Sequence, residues 1–522
     1  MSDAQKILEQ ANADFAAGNF GHAAVGFRAV IDMHPEVGEL HINLGAALRA
    51  VGNVSEAEKA YREALRLLPK SPLAWFNLAN LLRDQNRGDE ALAAYRKADA
   101  LQPGTAEILN NLGVQLYDKG AVEEALIHYD AALATKPGYT DALANRGNVL
   151  QRLGRMDEAR TAIETALEHD PDNPVYRLNK SAFLAATGDH GEALNWADKA
   201  IAADPHYIKA RLKRAGLLIQ TGDLATGLRE YEARFELANW HRLVDALPMP
   251  AWTGDDIQGK SLLLWNEQGF GDALMYARYL PDLLQRGARI TFMVESALIR
   301  LFRESFGGIS VYDLNDPPPE ADLQASIMSL PHLMGTTLQT IPAKVPYLQA
   351  PSSDIDRWTS TIKETETDTR PNIGLIWAGN PGQSHDYTRS IPPDDVRPLL
   401  DRDDVRFVNL LVGPRGNEIR HENLIDVRKE LTDFAVTAAL MQNLDLIISV
   451  DSAPAHLAGA LARPLWVLLS YDPDSRYFLK AATTPWYPGA KLYRQNAPGG
   501  WKEVLMRVNG DLDGFMRTKA KS

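Results

Sequence analysis

Residues 70–103 read KSPLAWFNLANLLRDQNRGDEALAAYRKADALQP, and the spacing of their proline, small residues and aromatic returns along the chain every 34 residues. Proline stands at Pro35, Pro69, Pro103, Pro137, Pro171 and Pro205. In register with it come Gly45, Ala79, Gly113, Gly147, Ser181 and Ala215, then Ala57, Ala91, Ala125, Ala159 and Ala193, then Tyr61, Tyr95, Tyr129, Ile163, Ala197 and Tyr231. Small residues at fixed phases let two helices approach closely, the larger side chain fills the space beside them, and proline closes the second helix. Gly52, Gly120, Gly154, Gly188 and Gly222 supply the turn between the helices. A fixed period of this kind marks a stacked array of helix pairs, so residues 1–235 read as an α-helical solenoid of about six to seven repeats.

The array resembles the tetratricopeptide repeat at every consensus column, and the resemblance implies a superhelix whose groove holds another polypeptide. One further column bears on what is held. Asn43, Asn77, Asn111, Asn145 and Asn179 recur in phase, and Lys213 takes the sixth place. Asparagine is a mediocre helix former, so its recurrence calls for a reason. In the family this position faces the concave groove, and the column resembles the asparagine ladder of the O-GlcNAc transferases. Such amides can donate and accept at the backbone of an extended acceptor peptide. The alternative is that each amide bridges to the neighbouring repeat.

The next proline would fall at Asn239 and is missing. Helical periodicity fades there, and residues 236–258 read as a connector. Beyond it short apolar runs alternate with helical patterns: LLLWN (262–266), ALMYARYLPDLL (273–284), ITFMV (290–294), and strand-like runs at 308–313 and 324–328. This alternation predicts parallel βαβ units. The polar segment 351–370 reads as a linker, after which NIGLIWAGN, RFVNLLVG, DFAVTAALMQN, LDLIISV, APAHLAGAL and PLWVLL form a second βα series. The expected fold is therefore α plus α/β: a solenoid over 1–235, then two Rossmann-like domains, 259–350 and 371–522, facing a cleft as in the GT-B arrangement.

Two strand-to-helix turns carry the chemistry. Glu267-Gln268-Gly269-Phe270-Gly271-Asp272 leaves a strand at the carboxyl edge, where doubly wound sheets bind ligands. Its glycines allow close backbone approach, and Asp272 reads either as a helix cap or as a general base for a hydroxyl. In the second half Asp451-Ser452-Ala453-Pro454-Ala455-His456 runs from a buried strand into a helix of small residues, a place suited to phosphate. His456 reads as a packing histidine or as a donor contact. The Asp394-Asp395 pair after two prolines reads as a helix start, and no metal site is expected.

The stretch from about 250 to 505 is similar to the tetratricopeptide-linked members of the family 9 glycosyltransferases, relatives of the lipopolysaccharide heptosyltransferases. The pieces that carry the similarity are WNEQGFGDALMYARYLP, SLPHLMGT, IGLIWAGNPGQSHDYTRSIP, DSAPAHLAGALARPLWVLL, DSRYF and TTPWYPGAKLYRQ, in that order. The resemblance implies that Asp272 is the base. It implies donor contacts from Arg389, Ser390, Asn380, Asp451, Ser452, Ala453 and His456, with Gly269 and Gly271 in the facing turn. Three positions depart from the family: Ala453 stands where glycine is frequent, Arg389 where lysine is, and Asp474-Ser475-Arg476-Tyr477 where tryptophan precedes arginine. Arginine keeps the charge but prefers bidentate phosphate contact. The implied activity is inverting, metal-independent transfer from a nucleotide sugar, CMP- or NDP-linked, to a protein hydroxyl. Flagellin is the acceptor of similarly arranged bacterial enzymes, and their nonulosonic acid donors would suit Arg476. A glycolipid acceptor, or a scaffold with a decayed transferase half, are the competing readings.

Composition narrows the rest. A net charge of −13 gives no general field for nucleic acid or anionic lipid, and the absence of cysteine excludes disulfides and thiolate chemistry. No run approaches the roughly 20 apolar residues that a membrane helix needs. A cytoplasmic protein is expected.

Overall fold

The computed structural model describes residues 2–237, 247–362, 370–383, 386–479 and 481–519. Residues 238–246 of the expected connector and 363–369 of the expected linker thus lie outside the described residues. The chain forms two compact units, Met1–Lys180 and Ser181–Ser522.

The first unit is built from antiparallel helix pairs: α1 (Asp3–Ala16) with α2 (Phe20–Met33), α3 (Gly38–Ala50) with α4 (Val54–Leu67), α5 (Pro72–Asp84) with α6 (Gly88–Leu101), α7 (Ala106–Asp118) with α8 (Val122–Thr135), and α9 (Thr140–Arg152) with α10 (Met156–His169). The repeating columns do the packing. A Cβ on Gly113 would lie 2.7 Å from the Tyr129 ring, and one on Gly147 would lie 2.7 Å from Ile163. Ala57, Ala91, Ala125 and Ala159 are fully buried. The turn within each helix pair has a left-handed residue, supplied by glycine except at Asn86 (φ 59°), one of the few other residues that tolerate it.

The second unit begins inside α11 (Pro174–Ala186) and takes in α12 (His190–Ala203), α13 (Ile208–Thr221) and α14 (Leu224–Tyr231). The repeat pattern ends near residue 235, yet the compact unit starts at 181, because Ile219, Leu224 and Leu228 share one apolar core with the α/β region. Pattern follows the local helix pair, whereas a domain follows its core.

Two parallel sheets follow. The first contains β1 (Ser261–Trp265), β2 (Arg289–Val294), β3 (Ile309–Asp313) and β4 (Leu323–Ser326) in the order β3-β2-β1-β4. The second contains β5 (Asn372–Ile376), β6 (Arg406–Asn409), β7 (Leu424–Asp426), β8 (Leu446–Val450), β9 (Leu465–Leu469) and β10 (Ala490–Arg494) in the order β10-β9-β8-β5-β6-β7. Both orders reverse, between β1 and β4 in one sheet and between β5 and β8 in the other. At such switch points successive helices leave on opposite faces and open a crevice at the carboxyl ends of the strands. Trp265 pairs with Ser326 and Ile376 with Ser449, so both chemistry-bearing turns leave their sheets at these points. β7 and β10 escape sequence reading. β7 is only three residues long, and β10 lies in a polar, proline-flanked stretch without a continuous apolar run.

Candidate active site

The first turn is anchored from below. Glu267 is buried directly after β1, and Arg234, itself 2% exposed, donates from Nη2 to its Oε1 at 2.6 Å and from Nε to both oxygens at 3.1 Å. Ser326, at the end of β4, donates to the same carboxylate, and Arg234 also reaches Ser329 and Glu232. A buried charge needs such a saturated set of partners. The pair fixes the start of the glycine turn against the residues that follow α14.

Asp272 is the third residue of the helix Phe270–Tyr276. Its Oδ2 accepts from the Gly269 N–H at 3.1 Å, and its Oδ1 accepts from Arg476 Nη1 at 2.5 Å. The capping and ionic roles coexist in one side chain. A carboxylate has about four lone-pair sites, so capacity to accept a further proton or hydroxyl remains. Arg476 also grips Asp474 through Nε at 2.7 Å and Nη2 at 3.0 Å. Burial opposes the guanidinium charge, but Asp474 and Asp272 outweigh it and hold Arg476 well above its ordinary value.

The second turn meets the first. Gly271 stands so close to the helix Ala453–Ala460 that a Cβ there would be 3.0 Å from His456 Cδ2 and 3.4 Å from Ala453 Cα. At this point the two α/β halves are in contact. Ser452 caps the helix, but its carbonyl already takes the Ala455 and His456 amides, and Pro454 has none. Of the first four helix positions, only Ala453 then has an amide left for an anion, fewer donors than the motif implied.

Asp451 and His456 are both buried. Burial, and then the charge of Asp474, push the Asp451 carboxyl up to about 6, against the pull of Arg476 and Arg389. Burial holds His456 well below its ordinary value, so the ring is neutral at pH 7. Its Nδ1 lies 3.0 Å from the Tyr487 hydroxyl, its Nε2 lies 3.8 Å from Asp451 Oδ1, and its ring stacks on Tyr477. The ring thus packs among buried aromatic partners, with a carboxylate alongside.

After β5 the chain forms a second cationic cluster. Asp386, 4% exposed, accepts from Arg389 Nε at 3.1 Å, from Arg415 Nη1 at 2.8 Å and from the Ser390 hydroxyl at 2.9 Å. Ser390 also accepts from the Gly379 N–H at 3.1 Å. Its hydroxyl is bonded within the loop. Asn380 is exposed, and its side chain closes a local turn onto the Gly382 N–H at 3.0 Å. Arg389, on this loop, and Arg415, on the segment after β6, keep part of their surface open and present two guanidinium groups on one buried carboxylate.

The asparagine column divides. Asn111 Nδ2 donates to Asn80 Oδ1 at 3.0 Å and Asn145 Nδ2 to Asn110 Oδ1 at 2.9 Å, each bridging to the preceding repeat. Asn43, Asn77 and Asn179 are part-exposed on their helices. Lys213, in the second unit, is half-buried, and burial lowers it from the ordinary lysine value against the charge of Asp472. Asp394 and Asp395 lie in the first turn of the helix Pro393–Leu400, as expected of a helix start.

Several functional candidates escaped sequence reasoning. Arg234, Asp386, Arg415 and Asp474 acquire meaning only through partners distant in sequence or folded back on them. Glu295, at the carboxyl end of β2, accepts from Asn266 Nδ2 at 2.9 and 3.0 Å, and burial raises its carboxyl. The available signal was positional: an acidic residue immediately after the ITFMV strand.

Comparison with known proteins agrees with this architecture. The tetratricopeptide repeat matches residues 8–72, 42–104, 76–140 and 145–208, and glycosyltransferase family 9 (heptosyltransferase) matches residues 430–486, a span that includes Asp451, His456 and Arg476. Protein FlbA of Caulobacter vibrioides is 27% identical over 322 residues, covering 55% of this chain and 52% of FlbA. The chain thus spans about half the length of that curated relative. Among solved structures, YrrB, a TPR protein with an unusual peptide-binding site, is 25% identical over 36% of this chain and 97% of its own, with a TM-score of 0.31. TTC0263, a thermophilic TPR protein of Thermus thermophilus, is 26% identical over 35% of this chain and 100% of its own, with a TM-score of 0.32. The chain thus carries tetratricopeptide repeats within residues 8–208 and, behind them, a segment at 430–486 that is similar to glycosyltransferase family 9.

Proposed function

We propose that the chain transfers a sugar from a nucleotide-activated donor to a hydroxyl of a protein, by an inverting, metal-independent displacement. The observation that carries this reading is the meeting of the Asp272 turn with the family 9-matched turn at Asp451–His456, two switch-point turns joined through Gly271. Asp272 takes the proton of the acceptor hydroxyl while its oxygen bonds to the anomeric carbon. The bond from that carbon to the phosphate oxygen breaks, and the electron pair leaves with the nucleotide. Arg389, after β5, and Arg415, after β6, are the cations suited to receive that charge, and one such aimed donor is worth roughly 3–4 kcal/mol in a transition state. The part-exposed asparagines Asn43, Asn77 and Asn179 bind the acceptor backbone. Flagellin is the first acceptor to try, and a carboxylated CMP-sugar the first donor. The reading puts the reaction in the cytoplasm, on the side where a nucleotide-activated donor is at hand. No helix among the described residues is long and apolar enough to cross a membrane.

A second reading, a binding scaffold without turnover, is favoured by the engagement of both Asp272 oxygens by Gly269 and Arg476. The two are separated by incubating the purified chain with nucleotide sugars and with protein or glycolipid acceptors, and weighing the products by mass spectrometry. The transferase reading expects a sugar adduct on the protein, lost in Asp272→Asn. Adducts that persist undiminished in that variant would remove Asp272 from the mechanism, and adducts on glycolipid alone would replace the acceptor.

A further inference from the structure

The segment after β9, Tyr471-Asp472-Pro473-Asp474-Ser475-Arg476, touches two elements that no local pattern connects. On one side it meets the last repeat helices. Gln220 of α13 donates from Nε2 to Asp472 Oδ1 and to the Pro473 carbonyl, both at 2.8 Å. His190 Nε2, at the start of α12, lies 3.8 Å from Asp472 Oδ1. The Tyr471 hydroxyl donates to the Thr187 carbonyl at 3.4 Å. Burial works against the Asp472 charge, but His190, Lys213 and Gln220 together hold the carboxyl below its ordinary value. On the other side Arg476 donates to Asp272 at 2.5 Å.

The link between these contacts is stiff. Proline fixes one backbone angle at residue 473. Asp474 accepts from the Arg476 N–H at 3.0 Å while holding its guanidinium, and the Ser470 hydroxyl donates to the Asp472 carbonyl at 2.9 Å. The Tyr471 N–H is held by Gln495 at 3.1 Å. A displacement at Asp472 therefore has little slack to be absorbed before it reaches Arg476.

We propose that this segment is a strut by which Gln220 and His190, residues of the last repeats, set the position of Arg476 and through it the orientation of the Asp272 carboxylate. They are positioning residues for the transfer, an assignment that rests on the transferase reading above. The helices that end the solenoid thus belong to the catalytic apparatus through Asp472.

The test uses the full chain with Gln220→Ala and His190→Ala, and reads transfer kinetics and hydrogen exchange. Both variants are expected to lower kcat about tenfold with the KM for nucleotide sugar unchanged, a small misplacement of a reacting group being worth up to roughly a hundredfold. In Gln220→Ala the Gly269 amide, protected by Asp272 Oδ2, should exchange faster within a peptide covering 267–276. Unchanged kcat, or a parallel loss of kcat, donor affinity and protection throughout the second unit, overturns the proposal. If the wild-type chain moves no sugar at all, it is the transferase reading that fails. Exchange at 267–276 then decides by itself whether Gln220 governs that turn.

Discussion

Arg476 Nη1 lies 2.5 Å from Asp272 Oδ1, across 204 residues of sequence, and the same guanidinium chelates Asp474. One cation thus joins the turn of the first sheet to the segment after β9. Side-chain exposures of 18% for Arg476 and 13% for Asp272 leave the pair largely shielded, so solvent screening weakens it little.

Arg476→Lys tests that geometry. A lysine ammonium keeps the charge but lacks the planar fork that spans two carboxylates. Sugar transfer should fall on the order of a hundredfold while the fold is retained. Steady-state rates beside a circular dichroism melt check this, and a wild-type rate would show that Asp272 does not depend on its partner.

The glycines of the first turn should differ sharply in tolerance. Gly271→Ala places a methyl 3.0 Å from His456 Cδ2 and 3.4 Å from Ala453 Cα, forcing the two turns apart. Overpacking of this kind costs about 1–3 kcal/mol. Gly269→Ala meets nothing nearer than Asp272 Oδ2 at 3.6 Å and should cost under about 1 kcal/mol, the difference between glycine and alanine at a helix cap. Urea unfolding of the two variants compares them directly.

Arg234→Ala should destabilise the second unit by about 3–5 kcal/mol, since it leaves the Glu267 carboxylate, fully buried in its side chain, without its cation. Arg234→Met with Glu267→Gln in the same chain should recover much of that loss. Denaturant midpoints of the single and double variants measure the coupling.

Asp451 predicts a pH dependence of opposite sign to that of a salt-bridged carboxylate. Its folded value, about 6, lies above the ordinary 3.8, so the folded state holds the proton more tightly than the unfolded chain. Stability from this group is present below about pH 4 and is lost as pH rises through about 6. Relative to the wild type, Asp451→Asn should therefore gain stability between pH 4 and pH 7, on the order of 3 kcal/mol at about 1.4 kcal/mol per pKa unit. A stability difference flat in pH would mean that Asp451 titrates normally.

The sequence by itself determined the helix pairs, because small residue, aromatic, turn glycine and proline act within one repeat and each imposes a local constraint. It likewise determined that Asp272 and Asp451 lie on strand-to-helix turns, since apolar runs and glycine spacing announce a strand end without reference to the rest of the chain. Only the tertiary structure decided which charges meet. Arg234 with Glu267, Arg476 with Asp272 and Arg415 with Asp386 are each joined by strand order and helix packing, and no periodicity encodes the partner of a buried ion. The same holds for the limit of the second unit. The repeat ends where its pattern ends, near residue 235, but α12–α14 are claimed by the unit that starts at 181, because an apolar surface belongs to whichever core excludes water from it.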